Sequence, residues 1–101
     1  ASRTREGKAS PSDFADSTFT ISNAGNIGGV LATPIINFPE VAIMGVHSMR
    51  KMPRCVGDDI VARMVMNLSI SIDHRVVDGA DGARFMVRVR ELLEDPALML
   101  L

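Results

Sequence analysis

Tryptophan and tyrosine are absent and phenylalanine occurs only four times. Any core must therefore be built from aliphatic side chains and from the seven methionines, which fill irregular space well. A single cysteine, Cys55, excludes an internal disulfide, and with only two histidines no metal-ligand cluster of recognisable spacing can be assembled. No metal is expected. Charge of one sign is also missing. Eleven Lys and Arg stand against twelve Asp and Glu, a formal net charge of -1, so the field that gathers nucleic acid is lacking. No apolar run approaches the roughly 18 residues of a membrane span, and no apolar stretch follows the charges of Ala1–Lys8 as a secretory leader requires. No membrane partner is expected, and the lone thiol fits a reducing compartment.

What is present is a globular balance. Hydrophobic residues make up 47% and charged residues 23% of 101 residues, which argues against disorder and leaves room for one compact domain. The chain starts without Met, in mid-pattern, and reads as a piece of a longer protein or a processed product. Residues 1–18 are small and polar, a frayed helix end or lead-in (1–16) followed by a loop. From Ser17 the alternation of Phe19 and Ile21 with Thr18, Thr20 and Ser22 predicts a half-buried strand, closed by the turn-rich Asn23–Gly29 with its three glycines. Pro34 and Pro39 bracket an apolar segment, and the uninterrupted run Val41–Val46 predicts a central strand buried on both faces. Ser48–Asp59, with basic residues, Pro53 and Gly57, reads as a surface hairpin connection that carries Cys55 on a loop.

From Met64 to Ile72 every even position is apolar, while Asn67, Ser69, Ser71 and Asp73 fall on the other side. This predicts a strand with one core face and one polar face able to line a channel. After Asp73-His74-Arg75-Val76-Val77-Asp78-Gly79 the period becomes helical. Phe85, Met86, Val89, Leu92 and Leu93 form one stripe, Arg84, Arg88, Glu91 and Asp95 oppose it, and Arg90 with Glu94 makes an i,i+4 pair. Asp78 or Asp81 caps the start of this helix and Pro96 ends it.

His74 thus stands where a two-faced strand stops, next to a turn that Gly79 permits, and element ends on a rigid sheet are common mounts for catalytic groups. Histidine exchanges protons near neutrality. A His-Arg-Asp turn is equally a capped, salt-bridged corner, and both readings stay open on the residues alone. Ser22, closing a strand before a Gly-rich turn, reads as a turn former, with a functional role as the alternative. Gly25, Gly28 and Gly29 fall short of a dinucleotide fingerprint and read as turn glycines, with coenzyme A contact as the alternative. His47 reads as a satisfied core or edge residue rather than a second base, and Arg50, Lys51 and Arg54 as a solvated loop, with docking of an acidic partner or of coenzyme A phosphates as the alternative.

Four segments in order, Thr18-Phe19-Thr20-Ile21-Ser22-Asn23, Pro34-Ile35-Ile36-Asn37, Pro39-Glu40-Val41-Ala42-Ile43 and Asp73-His74-Arg75-Val76-Val77-Asp78-Gly79, resemble the catalytic domain of dihydrolipoamide acyltransferases, the E2 cores of 2-oxo acid dehydrogenase complexes. The resemblance covers nearly the whole chain and corresponds to the C-terminal half of that domain. It implies an α/β fold of the chloramphenicol-acetyltransferase type, a mixed sheet with packed helices, forming a homotrimer within a larger core. It implies acyl transfer between dihydrolipoamide on a lipoyl domain and coenzyme A, the lipoyl group and coenzyme A both being substrates, with the E1 and E3 components reached through the full-length protein. Position by position, His74 matches the general base that takes the thiol proton, Asp78 the residue that holds the turn and the histidine's setting, and Ser22 the oxyanion donor, with His and Ser of one site coming from neighbouring subunits. The direct attack of a thiol needs no enzyme nucleophile, which leaves Cys55 incidental.

A bacterial member would work in the cytoplasm and a eukaryotic one in the mitochondrial matrix. The rival class is a non-catalytic assembly fragment, motivated by the short length. Asn67-Leu68-Ser69 and Asp95–Leu100 are similar to branched-chain enzymes, and Phe38-Pro39-Glu40 with Gly45-Val46-His47 to acetyltransferases.

Overall fold

The computed structural model describes residues 1–101. The apolar run expected at Val41–Val46 forms the inner end of the middle strand of a mixed sheet. Strand β1 (Thr20–Asn23) pairs in parallel with β2 (Ala42–Val56), and β2 pairs antiparallel with β3 (Asp59–Ile72). Parallel neighbours cannot be joined by a tight turn. Residues 24–41 make the crossover, starting with the 3₁₀ turn Gly25–Ile27 and then running extended over one face of the sheet. The lead-in contains the short helix α1 (Ser2–Arg5) and a 3₁₀ turn at Pro11–Phe14.

Helix α2 (Gly79–Glu94) follows β3 and packs across its even-numbered face. Gly82 is buried there, and a Cβ on it would stand 3.5 Å from two carbons of Ile72. Phe85 meets Phe19 with ring centroids 5.6 Å apart and tilted by 42°, an arrangement aromatic pairs favour. Asp95 and Pro96 end the helix, and the 3₁₀ turn Pro96–Leu100 follows.

Three sequence expectations are corrected. Ser48–Asp59 is not a loose connection: β2 continues to Val56, and Gly57-Asp58 alone makes the turn, with Gly57 at φ 61 as a two-residue hairpin with glycine first requires. Cys55, Arg50, Lys51 and Arg54 therefore lie on a strand, all exposed. Pro53 disguised that strand; it is tolerated because β1 stops at Asn23 and leaves this part of β2 with one neighbour only. The chain is also not compact, with a radius of gyration of 16.4 Å where about 13 Å is usual for 100 residues, because the outer hairpin projects as an arm. Finally, Arg90 and Glu94 form no ion pair; Arg84 reaches Asp81 at 3.1 Å and Arg88 reaches Glu91 at 3.3 Å, exposed pairs of small worth.

The buried apolar residues are Ala42, Ile43 and Met44. Of the expected core positions Leu68, Ile70, Ile72, Met86, Val89 and Leu92 are half-buried, while Met64, Met66, Phe85 and Leu93 are exposed. Inner β2 also needs a residue without a side chain. A Cβ on Gly45 would lie 2.6 Å from Ser69 Oγ and 3.1 Å from His47 Nε2. Gly45→Ala is expected to destabilise the fold by about 1–3 kcal/mol through overpacking, read as a lower urea midpoint. An unchanged midpoint would mean that Ser69 has room to swing aside.

Candidate active site

The turn after β3 is closed by Asp73. Its amide donates to the Val41 carbonyl at 2.8 Å, and its own carbonyl accepts from the amides of Val76 and Val77, both at 2.9 Å. Its carboxylate accepts from the Arg75 amide at 3.1 Å, from Nε at 2.9 Å and from Nη2 at 2.8 Å. Such a fork is the strong form of a charge-assisted bond. The Arg75 side-chain hydrogen bonds, followed by its backbone amide, lower the Asp73 carboxyl to about 2. Hydrogen bonding to Asp73 raises the Arg75 guanidinium in turn. The salt-bridged corner is thus real, but Asp73 and Arg75 build it.

His74 is left over. It is exposed, its imidazole makes no hydrogen bond within the chain, and its Nε2 looks across Gly79, where a Cβ would come to 3.9 Å. Asp78 occupies the N-cap position of α2 with φ -73 and ψ 149, and its carbonyl accepts from the Gly82 amide at 3.1 Å. Its carboxylate makes no capping bond and no bond to His74, so Asp78 does not orient the imidazole within one chain.

Ser22 lies on β1 in register with Gly45, its side chain exposed. The glycine turn behind it has the expected form. Asn23 Oδ1 accepts from the Gly25 amide at 2.8 Å, and Gly28 takes φ 88. Gly25 packs directly on β2, where a Cβ would be 2.6 Å from the carbonyl carbon and oxygen of His47. Ser22 and His74 are not brought together. One sits level with Gly45 on β1, the other beyond Ile72, which is level with Ala42 on β3. Strand rise and spacing put them on the order of 15 Å apart.

Two buried polar residues do work that the sequence pattern did not show. Glu40, 6% exposed, accepts from the hydroxyls of Ser17 and Thr20 and from Asn37 Nδ2, tying the lead-in, β1 and the crossover together. The Ser17 and then the Thr20 hydroxyl hold its carboxyl below its ordinary value, against burial. His47, 2% exposed, is only half satisfied, not the fully satisfied residue expected. Its Nε2 is 2.9 Å from Ser69 Oγ, and Ser69 Oγ is 2.8 Å from the Ala32 carbonyl. That carbonyl can only accept, so the single hydroxyl proton goes to it and His47 donates through Nε2–H. Nδ1 then keeps a bare, buried lone pair without a partner, which costs on the order of 1–3 kcal/mol. Asn67 Nδ2 likewise donates to the Val30 carbonyl at 3.0 Å. The polar side of β3 is therefore roofed by residues 30–32 at Asn67 and Ser69 and is not an open channel wall there.

The chain belongs to the family of 2-oxoacid dehydrogenases acyltransferase catalytic domains, which matches residues 1–101. It is 52% identical, over its full length, to the lipoamide acyltransferase component of the branched-chain alpha-keto acid dehydrogenase complex of Pseudomonas aeruginosa, of which it covers 24%. Among solved structures it is similar to the dihydrolipoamide acetyltransferase of Azotobacter vinelandii, in which the roles of a serine, a histidine and an asparagine in catalysis were investigated. The TM-score is 0.93 at 44% identity, covering all of this chain and 42% of that one. The cubic core of a pyruvate dehydrogenase multienzyme complex gives the same TM-score of 0.93 at 42% identity, with 42% of that chain covered. The mixed α/β fold is therefore that of these acyltransferase cores, and the chain spans about a quarter of the curated relative.

Asp73 ionises more readily in the folded chain than at its unfolded value near 3.9. Its contribution to stability is present above about pH 4 and is lost as the pH falls toward about 2. Asp73→Asn is expected to lower the urea midpoint at neutral pH and to flatten its fall below about pH 4. A variant with the same slope as the parent chain would rule out this clamp.

Proposed function

We propose that this chain carries the serine-bearing and histidine-bearing edges of an acyltransferase site that moves an acyl group between dihydrolipoamide and coenzyme A. The observation that carries the reading is a pair of spacings. In the Azotobacter acetyltransferase the serine, histidine and asparagine stand 52 and 4 residues apart, the same separations as Ser22, His74 and Asp78 here. The third residue is Asp in this chain. The unpaired imidazole of His74 agrees with the role, since the Asp73–Arg75 clamp holds the turn rigid without occupying it.

A thiol of pKa about 8.5 or above is mostly protonated at neutral pH, and the thiolate is the nucleophile. His74, neutral, accepts the proton from the attacking thiol as sulfur bonds to the thioester carbonyl carbon. The oxyanion that forms accepts a hydrogen bond from the Ser22 hydroxyl. Collapse breaks the original carbon–sulfur bond, and the departing thiolate takes the proton back from the imidazolium. Coenzyme A and the lipoyl group are the two thiols, and the reaction runs in either direction.

Because Ser22 and His74 are far apart within one chain, the site is completed by pairing Ser22 of one subunit with His74 of a neighbour in a trimer. Exposed Ile21, Ile35 and Phe38 supply apolar surface for such an assembly. The chain is the C-terminal half of its catalytic domain, and lipoyl domains with the E1 and E3 components are engaged by the full-length protein. A purely structural fragment would use the same apolar surface but has no need of a free imidazole on a clamped turn.

In the full-length protein, His74→Ala is expected to lower kcat by about 10²–10⁴ and Ser22→Ala by about 10²–10³, with assembly intact by sizing. Asp78→Asn should keep most of the activity. Co-expressing the two single variants should restore about a quarter of the sites if each site spans two symmetric subunits; no recovery would place both groups in one chain. Acetyl-, isobutyryl- and succinyl-coenzyme A in the same assay rank the acyl groups.

A further inference from the structure

We infer that His47 is a positioning residue for the acyl-transfer reaction, acting on Ser22 through the bulge of β2; this rests on Ser22 being the oxyanion donor. Strand β1 is only four residues long, too short to fix its own end. The turn behind Ser22 is fastened instead to a single irregularity in β2. The register passes from Val46 opposite Leu68 to Met49 opposite Met66, so His47 and Ser48 together face Asn67. A bulge of this kind bends and twists its strand and re-aims its neighbours.

The ties from β2 to that turn come from the bulge and from Val46 just before it. The Ala24 amide donates to the Val46 carbonyl at 3.1 Å, and the Ser48 amide donates to the Gly29 carbonyl at 2.8 Å. Gly25 rests on the His47 carbonyl so closely that no side chain fits between them. The His47 side chain in turn pins the bulge to β3 by donating to Ser69 Oγ, and Ser69 carries the tie on to Ala32 in the crossover. The same relay thus holds both the start of the crossover and its middle. A buried histidine with an unpartnered nitrogen is a poor choice for stability alone, whereas a donor of this reach in this place fixes where the bulge falls. The oxyanion donor loses most of its value if it stands an ångström out of place.

The test is a double-mutant cycle in the full-length acyltransferase, with kcat referred to folded, assembled protein. His47→Phe, which keeps the bulk and removes the donor, is expected to lower kcat about tenfold beside an intact Ser22 and less than about twofold in the Ser22→Ala background, the coupling of residues in one network. KM for coenzyme A should change little. His47→Gln, whose Nε2 can still donate to Ser69, should recover most of the rate. If His47→Phe does not assemble, Ser69→Ala breaks the same relay from β3 and is expected to show the same dependence on Ser22. Equal loss in both backgrounds, or no loss at all, overturns the inference. If Ser22→Ala alone leaves kcat unchanged, the assignment of Ser22 fails first and the positioning role falls with it.

Discussion

Ile43–Val46 is the one stretch of backbone hydrogen-bonded to a strand on both sides, and the placement of every candidate catalytic group derives from it. Ser22 takes its level from Gly45 across the parallel pairing, while His74 takes its level from Ile72, which lies opposite Ala42. Strand spacing and rise are close to fixed quantities. The separation of the serine from the histidine is therefore a property of the sheet and cannot be closed by side-chain rotation. On the proposed reading, the two groups stand on opposite edges of one sheet, and each would work at a border with another molecule.

The turn that carries His74 holds an exposed imidazole in place while leaving it unpaired. Asp73 satisfies four backbone groups, the Val41 carbonyl and the amides of Arg75, Val76 and Val77, and accepts a guanidinium fork, so the corner has its own internal support. Nothing in that support engages the imidazole. Glu40 and His47 do comparable work elsewhere, each buried and each joining segments distant in sequence. In a chain whose apolar core is three residues, buried polar ties of this type take over the positioning that packing provides in larger domains.

The inner part of β2, the glycine turn and the helix were legible because each rests on a local period or a local residue preference; at β1 the period found the strand but not its burial, since Ile21 is exposed and Thr20 is the half-buried residue. The even-numbered apolar row from Met64 to Ile72 and the Asp78-to-Pro96 boundaries of the helix are visible in the letters alone. The outer hairpin was not, because Pro53 and a run of charges imitate a loop, and only the freedom of an unpaired strand side explains why they do not break the ladder. Ser22, His74 and Asp78 were reached through motifs in register; position in a turn by itself left His74 divided between a base and a corner. The part played by Asp73 and Arg75 could have been suspected from their spacing. The ties made by Glu40 and His47 carried no signal, since their partners lie up to 23 residues away and nothing periodic links them.

The exposed apolar positions on β1, the crossover and the arm have a thermodynamic consequence. For a chain with so little of its apolar surface withdrawn from water, association with a neighbour would supply burial that the single chain lacks. Where such a chain meets a neighbour, burial of that surface adds to the free energy that holds the native backbone in place. In an assembly its apparent stability would then depend on subunit concentration as well as on sequence. On the proposed reading, a substitution far from Ser22 or His74 that merely weakens association would silence both, because the two groups would meet only between subunits.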